Sequence, residues 1–409
     1  MEFVKKVENK LKISICDISL FIYISSLISH KLGHGFDAIF CRLTFLFMSA
    51  VFAGQFIYDS FMKRDKRILN KQFLFLILFW GFAICSALWA LNVRTIIDFN
   101  WNAPIQAISI SLFLSYRIKS KQDFGIILNI IILSVIYMCA LVLVRCPIDA
   151  IYERRMGGYV GIHSNSFGRY ISFASIISLY LYLSLRKKRY LLLLPIFLVL
   201  IILSGSRTSL LLFFAGCAGL ILIFSKSKVK ILWIIAIIVI LIFVIQLTLT
   251  NPQLYKLVGW RIEGLINLFN DSELADDSTL GRLYFIQSAQ DLFKKNKLLG
   301  IGLDNFQYYQ RIIGYKQVTY SHSNHWELLS CLGITGHFLY YFIHYYIFCK
   351  SIANYKRLEN DNKFVFILII LILIVDYIII SYIDVFCQIL LTVCYLGCYK
   401  KREFQYIKN

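Results

Sequence analysis

Long apolar runs alternate with short polar segments along this chain of 409 residues. A helix that crosses the hydrocarbon core of a bilayer needs roughly 20 apolar residues, and runs of about that length recur from one end of the chain to the other. They predict an all-α polytopic membrane protein, with residues 1–409 forming one integral-membrane domain. The twelve predicted spans are residues 13–30, 37–58, 72–91, 102–118, 124–145, 168–185, 190–204, 209–225, 231–249, 326–349, 364–383 and 385–399.

One long polar interval interrupts this pattern between the ninth and the tenth predicted span. It covers about residues 250–325 and ends in a run of His, Asn and His side chains at the mouth of the next apolar helix. Loops that are positioned by a rigid scaffold often carry binding and catalytic residues. This predicted outer loop is therefore where a functional site is expected first.

Composition agrees with the membrane interpretation. Hydrophobic residues make up 59% of the chain and charged residues 16%, whereas a soluble domain carries about 25% charged residues. The eleven cysteines lie mostly within apolar runs and show no spacing typical of a metal site, so we expect small buried apolar residues. The first apolar run lacks a small-residue cleavage site, which predicts a retained span rather than a signal peptide.

Basic residues predict the orientation. Clusters of Lys and Arg precede the first predicted span and follow the second, fourth, sixth, eighth, tenth and twelfth. All of them fall on one side of a twelve-span arrangement, and by the positive-inside rule that side is cytoplasmic. Both termini are therefore predicted to be cytoplasmic. The net charge of +20 is then explained by topology and by contact with anionic lipids, and not by nucleic-acid binding.

Two arginines lie where an anionic ligand could bind. Arg207 stands in a Ser/Gly turn between two apolar spans, where its planar fork could bind phosphate oxygens in a bidentate manner. The alternative is an arginine that snorkels from a helix end. Arg282 is expected at the start of an amphipathic helix over residues 283–293, where a cation opposes the helix dipole and hints at a ligand.

Two histidines and two carboxylates complete the candidates. His322 and His325 are one helical turn apart and could share a face, but a third metal ligand at matching spacing is missing. A histidine here suits a general base, and the alternative is a polar turn that caps a helix. Asp376 and Asp384 lie in or near the eleventh span, where a carboxylate needs a cationic partner; the candidate partners are Arg207 and Arg42.

Four short motifs lie in order between about residues 160 and 340, all on the predicted outer side. Together they resemble motifs of the O-antigen ligase and O-antigen polymerase superfamily of bacterial envelope enzymes. The motifs are Gly161-Ile-His-Ser-Asn165-Ser-Phe-Gly168, Ser204-Gly-Ser-Arg-Thr208, Gly281-Arg282 with the later Leu299-Gly-Ile-Gly302 and Asn305-Phe306, and Ser321-His-Ser-Asn-His-Trp-Glu-Leu-Leu329 followed by Gly333-Ile-Thr-Gly336.

The resemblance implies an enzyme of the bacterial inner membrane. Such an enzyme transfers a glycan from a polyprenyl diphosphate carrier to a hydroxyl acceptor at the outer face, with no nucleotide sugar, metal or other cofactor. It implies that His322 is the base and that Arg207 and Arg282 bind the diphosphate. Ser323 separates His322 from Asn324, where many members have His and Asn adjacent, so His325 stays an alternative base. The expected substrate-binding residues are Asn324, His325, Glu327, Asn165 and Arg169.

The exact role has three alternatives. The turn at Asn165 and the His-x-Asn-x-x-Glu-Leu-Leu form favour a polymerase of O-antigen or capsule-type repeat units. A ligase that joins the glycan to lipid A-core is the second, and a non-enzymatic exporter or flippase, with charges spread along several spans, is the third. The expected partners are the lipid-linked donor, the glycan acceptor and membrane lipids. A flippase and a chain-length regulator are further candidates, and nucleic acid is not expected.

Overall fold

The structure is a computed structural model that describes residues 13–30, 36–63, 70–147, 151–225, 227–270, 277–315, 318–353 and 360–398. Within these ranges the regular structure is helical and contains no β-strand, so the all-α prediction is confirmed. Several basic residues that were used to predict the orientation, at 5–12, 64–67, 226, 356–357 and 400–402, lie outside the described ranges.

Seventeen α-helices follow one another along the described chain, with short 3₁₀ and π-helical turns between some of them. The helices are α1 (Ile15–His30), α2 (Phe36–Lys63), α3 (Lys71–Cys85), α4 (Val93–Ile97), α5 (Asn102–Arg117), α6 (Lys121–Arg145), α7 (Ser164–Leu185), α8 (Lys188–Leu203), α9 (Arg207–Phe224), α10 (Ser227–Thr250), α11 (Pro252–Leu254), α12 (Trp260–Asn270), α13 (Asp277–Lys295), α14 (Phe306–Ile312), α15 (Asn324–Ala353), α16 (Asn360–Asp376) and α17 (Val385–Gly397).

Each predicted span overlaps one helix, namely α1–α3, α5–α10 and α15–α17. Apolar runs of this length form helices in a membrane because each backbone polar group must find a partner within its own segment. Within the described ranges, five helical stretches meet both the length and the hydropathy that a membrane crossing requires, so the count of twelve crossings stays a prediction. The five are Ile39–Met62, Lys71–Leu88, Lys121–Arg145, Arg207–Phe224 and Lys230–Thr250.

The long polar interval is itself folded into helices α11–α14, and its position on the outer side stays a prediction. The eleventh span was predicted to end too late, at residue 383, whereas the predicted start of the twelfth, at residue 385, coincides with the start of α17. α16 ends at Asp376, and turns occupy residues 377–384. The new helix begins at Val385 because the Asp384 carboxylate accepts a hydrogen bond from the backbone N–H of Phe386 at 3.0 Å, which caps α17.

Two apolar cores hold the helices together. The larger core joins α1, α2, α5–α10 and the end of α15 to α16 and α17. The smaller core joins α3 to α15 and to the polar interval, through residues such as Phe79, Leu292, Phe306 and Leu332. The polar interval is therefore anchored to the helical bundle by buried apolar side chains, and residues along it are held in fixed positions.

A glycine contact fixes the interval against α15. Gly333 has φ of 64° and ψ of −169°, which divides α15 into two helical halves. The freed backbone groups bond the segment before α14: Gly302 donates to the carbonyl of Cys331 at 2.8 Å, and Ile334 donates to that of Lys297 at 2.9 Å. The two backbones approach closely because Gly300, at φ of 66°, has no Cβ.

We expect Gly300→Ala to lower the thermal stability of the purified protein. A Cβ at this position would lie 2.4 Å from the carbonyl carbon of Cys331, and a left-handed backbone costs an L-residue about 1–2 kcal/mol. Gly281→Ala is the matched control, since Gly281 lies within α13 and a Cβ there meets nothing within 4 Å. Thermal unfolding in detergent checks this, and equal midpoints for the two variants would contradict the proposed close contact.

Candidate functional site

A cavity of about 400 Å³ lies where α7, α9, α13, the start of α15 and the turn before α17 meet. Five of the eight predicted site residues line it: Asn165, Arg169, Arg282, His322 and Glu327. Arg207, Asn324 and His325 do not. The other polar residues of its lining are His163, Ser166, Tyr170, Thr208, Ser209, Asp304, Gln307, Tyr320, Tyr382 and Asp384.

His322 lies two residues before α15 and has a left-handed backbone with φ of 60°. A non-glycine residue in this conformation is uncommon and is often found at functional sites. Its ring packs against Tyr320, with centroids 4.4 Å apart. Burial, together with the positive charge of Arg282 and the neighbouring His163, lowers the pKa of His322 to about 4. The imidazole is therefore neutral near pH 7 and has a nitrogen able to accept a proton.

The two histidines do not share a helix face, so that expectation was wrong. His322 precedes the helix, whereas His325 lies in its first turn, and its ring stacks on Tyr341 with centroids 4.2 Å apart. Its Nδ1 is 3.0 Å from Nε2 of His337. His325 therefore belongs to a buried aromatic cluster beside the cavity, while His322 lies in the cavity wall.

Asn324 is fully buried and uses its side chain to join parts of the protein. Its Nδ2 donates to the hydroxyl of Tyr341 at 2.8 Å. Its Oδ1 accepts from the backbone N–H groups of Ser381 and Tyr382, both at 3.0 Å. This amide fixes the turn after α16 to the start of α15, and the contact of Asn324 with substrate stays a prediction.

Glu327 both lines the cavity and holds the His322 segment. It is 1% exposed, and its Oε2 accepts from the backbone N–H of Ser321 at 2.8 Å. The hydroxyl of Ser321 in turn donates to the carbonyl of Ser323 at 2.9 Å. The residues on both sides of His322 are thus tied down, so the imidazole is presented from a fixed backbone.

Arg169 and Asp384 form a buried ion pair in the cavity wall, with Nη2 and Oδ2 2.6 Å apart. The expected partners of the carboxylates, Arg207 and Arg42, were therefore wrong. The second carboxylate, Asp376, accepts a hydrogen bond from the hydroxyl of Tyr341 at 2.9 Å. The Arg169–Asp384 pair joins α7 to the start of α17 and sets a positive and a negative group side by side at one end of the cavity.

Arg155 is a residue that the sequence interpretation did not single out. Its Nε donates to the carbonyl of Ser204 at 2.9 Å, and its Nη2 donates to Oδ1 of Asn165 at 2.6 Å. It therefore ties the two predicted turns together. Burial, together with the positive charges of Arg261, Arg282 and Arg207, lowers the pKa of Arg155 to about 10. We call Arg155, Arg207, Arg261 and Arg282 the arginine cluster.

Arg207 does not line the cavity. Its Nη1 donates to the carbonyl of Arg261, and its Nη2 donates to Oγ1 of Thr279 at 3.2 Å. It thus connects the start of α9 to α12 and α13.

Arg282 does line the cavity, but α13 begins at Asp277, so Arg282 lies in its second turn. The expectation that Arg282 opens the helix, and the helix-dipole argument based on it, were wrong.

Asp304 is a second cavity residue that was missed. It follows Gly302 in the turn before α14, and its backbone is left-handed with φ of 57°. The two glycines made this segment look like an ordinary turn. Burial raises the pKa of Asp304 to about 6. A carboxyl group that gains and loses its proton near pH 6 therefore faces the same space as His322 and Glu327.

This pKa predicts the sign of a stability change. Because the pKa of Asp304 is raised in the folded protein, that state binds the proton more tightly, and stability is lost as the pH rises from about 4 to about 6. Asp304→Asn should therefore raise the unfolding temperature at pH 8 and leave it nearly unchanged near pH 4. Asp291→Asn, at an exposed position of α13, is the control. A gain that does not depend on pH would rule out burial of the charge as its cause.

Comparison with known protein families adds a separate line of evidence. A family model described as O-antigen ligase matches residues 191–341. The match covers less than half of the chain but includes Arg207, Arg282, His322 and Glu327. It confirms the resemblance to the O-antigen ligase and O-antigen polymerase superfamily, whose members are glycosyl-transferring membrane enzymes. No curated protein matches the chain.

Proposed function

We propose that this protein transfers a glycan from a polyprenyl diphosphate carrier to a sugar hydroxyl at the outer face of the bacterial inner membrane. The observation that carries the proposal is the cavity that brings a neutral His322 together with Arg282 and with the carboxyl groups of Asp304, Glu327 and Asp384. These groups come from distant parts of the chain, and the matched family supports this class of reaction. Cavities of 300–1,000 Å³ with a few convergent polar groups are typical ligand sites.

The reaction assigns one role to each side of the cavity. The acceptor hydroxyl attacks the anomeric carbon of the donor glycan, its proton passes to His322, and the bond from the anomeric carbon to the diphosphate oxygen breaks. The departing diphosphate gains negative charge, which the cationic side with Arg282 stabilises. Diphosphate near Arg282 also offsets the positive charge that lowers the pKa of His322, so donor binding makes His322 a stronger base.

The remaining residues support this arrangement. Asp304 and Glu327 line the same cavity as His322 and offer oxygen atoms to sugar hydroxyls. Arg155 and Arg207 hold neighbouring segments together: Arg155 bonds the turn at Ser204, and Arg207 bonds the backbone of Arg261. His325 and Asn324 serve the packing of α15, since their side-chain partners lie within the protein. No nucleotide sugar or metal is required by these roles, and we expect transfer to continue in the presence of a chelator.

Polymerisation of O-antigen or capsule-type repeat units is the form of this reaction that we propose. The turn at Asn165 supports it, because Arg155 binds Asn165 and so makes this turn part of the site. Ligation to lipid A-core is the second candidate, and the description of the matched family favours it. The exporter alternative is less well supported, since the predicted functional residues gather around one cavity and are not spread along a path through the bundle.

A deletion strain separates the alternatives. If the protein is a polymerase, the strain loses long glycan chains and retains single repeats attached to the acceptor. A ligase predicts the opposite, namely a long polymer that stays on its lipid carrier. Purified protein with a lipid-linked oligosaccharide and an acceptor provides the second test. Absence of any transfer by well-folded protein would favour the exporter.

The membrane topology is part of the proposal. Twelve crossings with both termini in the cytoplasm would place the cavity at the outer face. Reporter fusions after Lys230 and near Asp277 test this arrangement. A cytoplasmic signal from the fusion near Asp277 would contradict it, because that position is required to lie on the same side as His322.

A further inference from the structure

A second cavity, of about 490 Å³, lies between α7, α8, α9 and α10. Its walls consist almost entirely of apolar side chains, including Leu183, Leu194, Phe214 and Ile237. Both cavities use α7 and α9. The first lies at the N-terminal ends of these helices, near Arg169, and the second extends to their C-terminal ends, at Arg186. On a helix, these two positions are roughly 25 Å apart.

One wall of the second cavity faces the membrane. Only 11% of the apolar stretch Lys230–Thr250 in α10 is buried within the protein. Trp233 of this helix lines the cavity and is 45% exposed. Tryptophan is enriched at the level of lipid headgroups. A space with apolar walls beside a lipid-facing helix is accessible to a hydrocarbon chain from the bilayer.

Positive charge marks one end of this cavity. Among the described residues that line the cavity, Arg186 is the charged one, and its side chain is exposed. Lys187, Lys188 and Arg189 follow it and are exposed as well. These residues belong to the cluster that the positive-inside rule places at the cytoplasmic surface, where the membrane presents anionic headgroups. Basic pockets between transmembrane helices on that side are suited to such headgroups.

We propose that this cavity binds one anionic phospholipid, with an acyl chain between α8 and α10 and its phosphate group at Arg186. Charge complementarity selects the headgroup, and the apolar lining accommodates the chain. A zwitterionic lipid of the same chain length offers the same hydrocarbon without the net negative charge. The site is separate from the proposed transfer reaction, and its test does not depend on enzymatic activity.

Native mass spectrometry of the purified full chain tests the proposal. Phosphatidylglycerol and phosphatidylcholine with identical acyl chains are added in equal amounts. We expect preferential retention of phosphatidylglycerol and a loss of at least tenfold in that preference for Arg186→Gln. Lys188→Gln is the matched control, because Lys188 belongs to the same basic segment but does not line the cavity. It should retain most of the preference.

A second variant distinguishes binding of the acyl chain from binding of the headgroup. Ala236→Phe adds volume to the cavity wall and leaves Arg186 in place, so it should reduce retention of both lipids while the unfolding temperature stays close to that of the wild type. Equal retention of the two lipids, unchanged by either variant, would show nonspecific lipid at the protein surface and overturn the proposal. Preferential retention of a polyprenyl phosphate over phosphatidylglycerol would also overturn it, by identifying a different occupant.

Discussion

Replacing His322 by alanine is expected to lower the rate of glycan transfer by about 10²–10⁴-fold, the usual loss when a general base is removed. The expectation follows from the position of the imidazole. It lies in the cavity wall, and burial together with the charge of Arg282 keeps it neutral near pH 7. The measurement is transfer between purified lipid-linked oligosaccharides, with and without a chelator.

The left-handed backbone of His322 requires a second variant. Alanine at φ of 60° is strained, so a loss of activity in His322→Ala could reflect a displaced loop. Asparagine tolerates this conformation better than most residues and has no basic nitrogen. We therefore expect His322→Asn to fold like the wild type, to bind the lipid-linked donor and to be inactive. Substantial transfer by His322→Asn would exclude His322 as the base.

His325→Ala provides the comparison at the neighbouring histidine. His325 stacks on Tyr341 and contacts His337 outside the cavity lining. Its replacement should lower stability more than it lowers the rate of the chemical step. If His325→Ala were inactive and stable while His322→Asn retained activity, the two assignments would have to be exchanged. If a chelator stopped transfer by the wild type, the proposed reaction without a metal would be wrong.

The helices could be predicted because long apolar runs leave the backbone few alternatives in a membrane. α6 illustrates this: the run predicted residues 124–145, and the helix is Lys121–Arg145. Its start depends on one local interaction, the Ser120 side chain that accepts from the backbone N–H of Asp123. The end of α16 was placed too late because the turn residues 377–383 are themselves mostly apolar and continue the pattern of the helix.

The candidate site was only partly predictable, since spacing along the chain does not determine which turns meet. Arg169 and Asp384 are distant in sequence and pair only because α7 packs near the start of α17. Arg155 belongs to a polar loop without a recognisable motif, and its importance follows from its bonds to Ser204 and Asn165. A long-range ion pair of this kind has no local signal that sequence analysis can detect.

The histidines show how one residue can change an interpretation. The separation of His322 and His325 suggested a shared helical face, but Glu327 bonds back to Ser321 and α15 starts at Asn324. His322 therefore lies outside the helix, and its side chain lines the cavity. The family resemblance favoured His322, and the cavity lining favours the same residue for an independent, geometric reason.

Arg282→Gln is expected to reduce kcat/KM for the lipid-linked donor by at least about tenfold, since a hydrogen bond to a charged group contributes about 1.5–3 kcal/mol. Arg282 lines the cavity near His322, and it is the member of the arginine cluster whose side chain lies in the cavity lining. Arg282→Lys keeps the charge but loses the planar fork that binds two phosphate oxygens. It should therefore lose activity as well.

The two substitutions differ in their effect on His322. Because the positive charge of Arg282 lowers the pKa of His322, Arg282→Gln should raise that pKa and Arg282→Lys should leave it nearly unchanged. Titration of the His322 imidazole by NMR in the absence of donor measures this separately from activity. Arg311→Gln is the control, because Arg311 lies on α14, is exposed and does not line the cavity. Normal transfer by Arg282→Gln together with an unchanged pKa of His322 would remove Arg282 from the site.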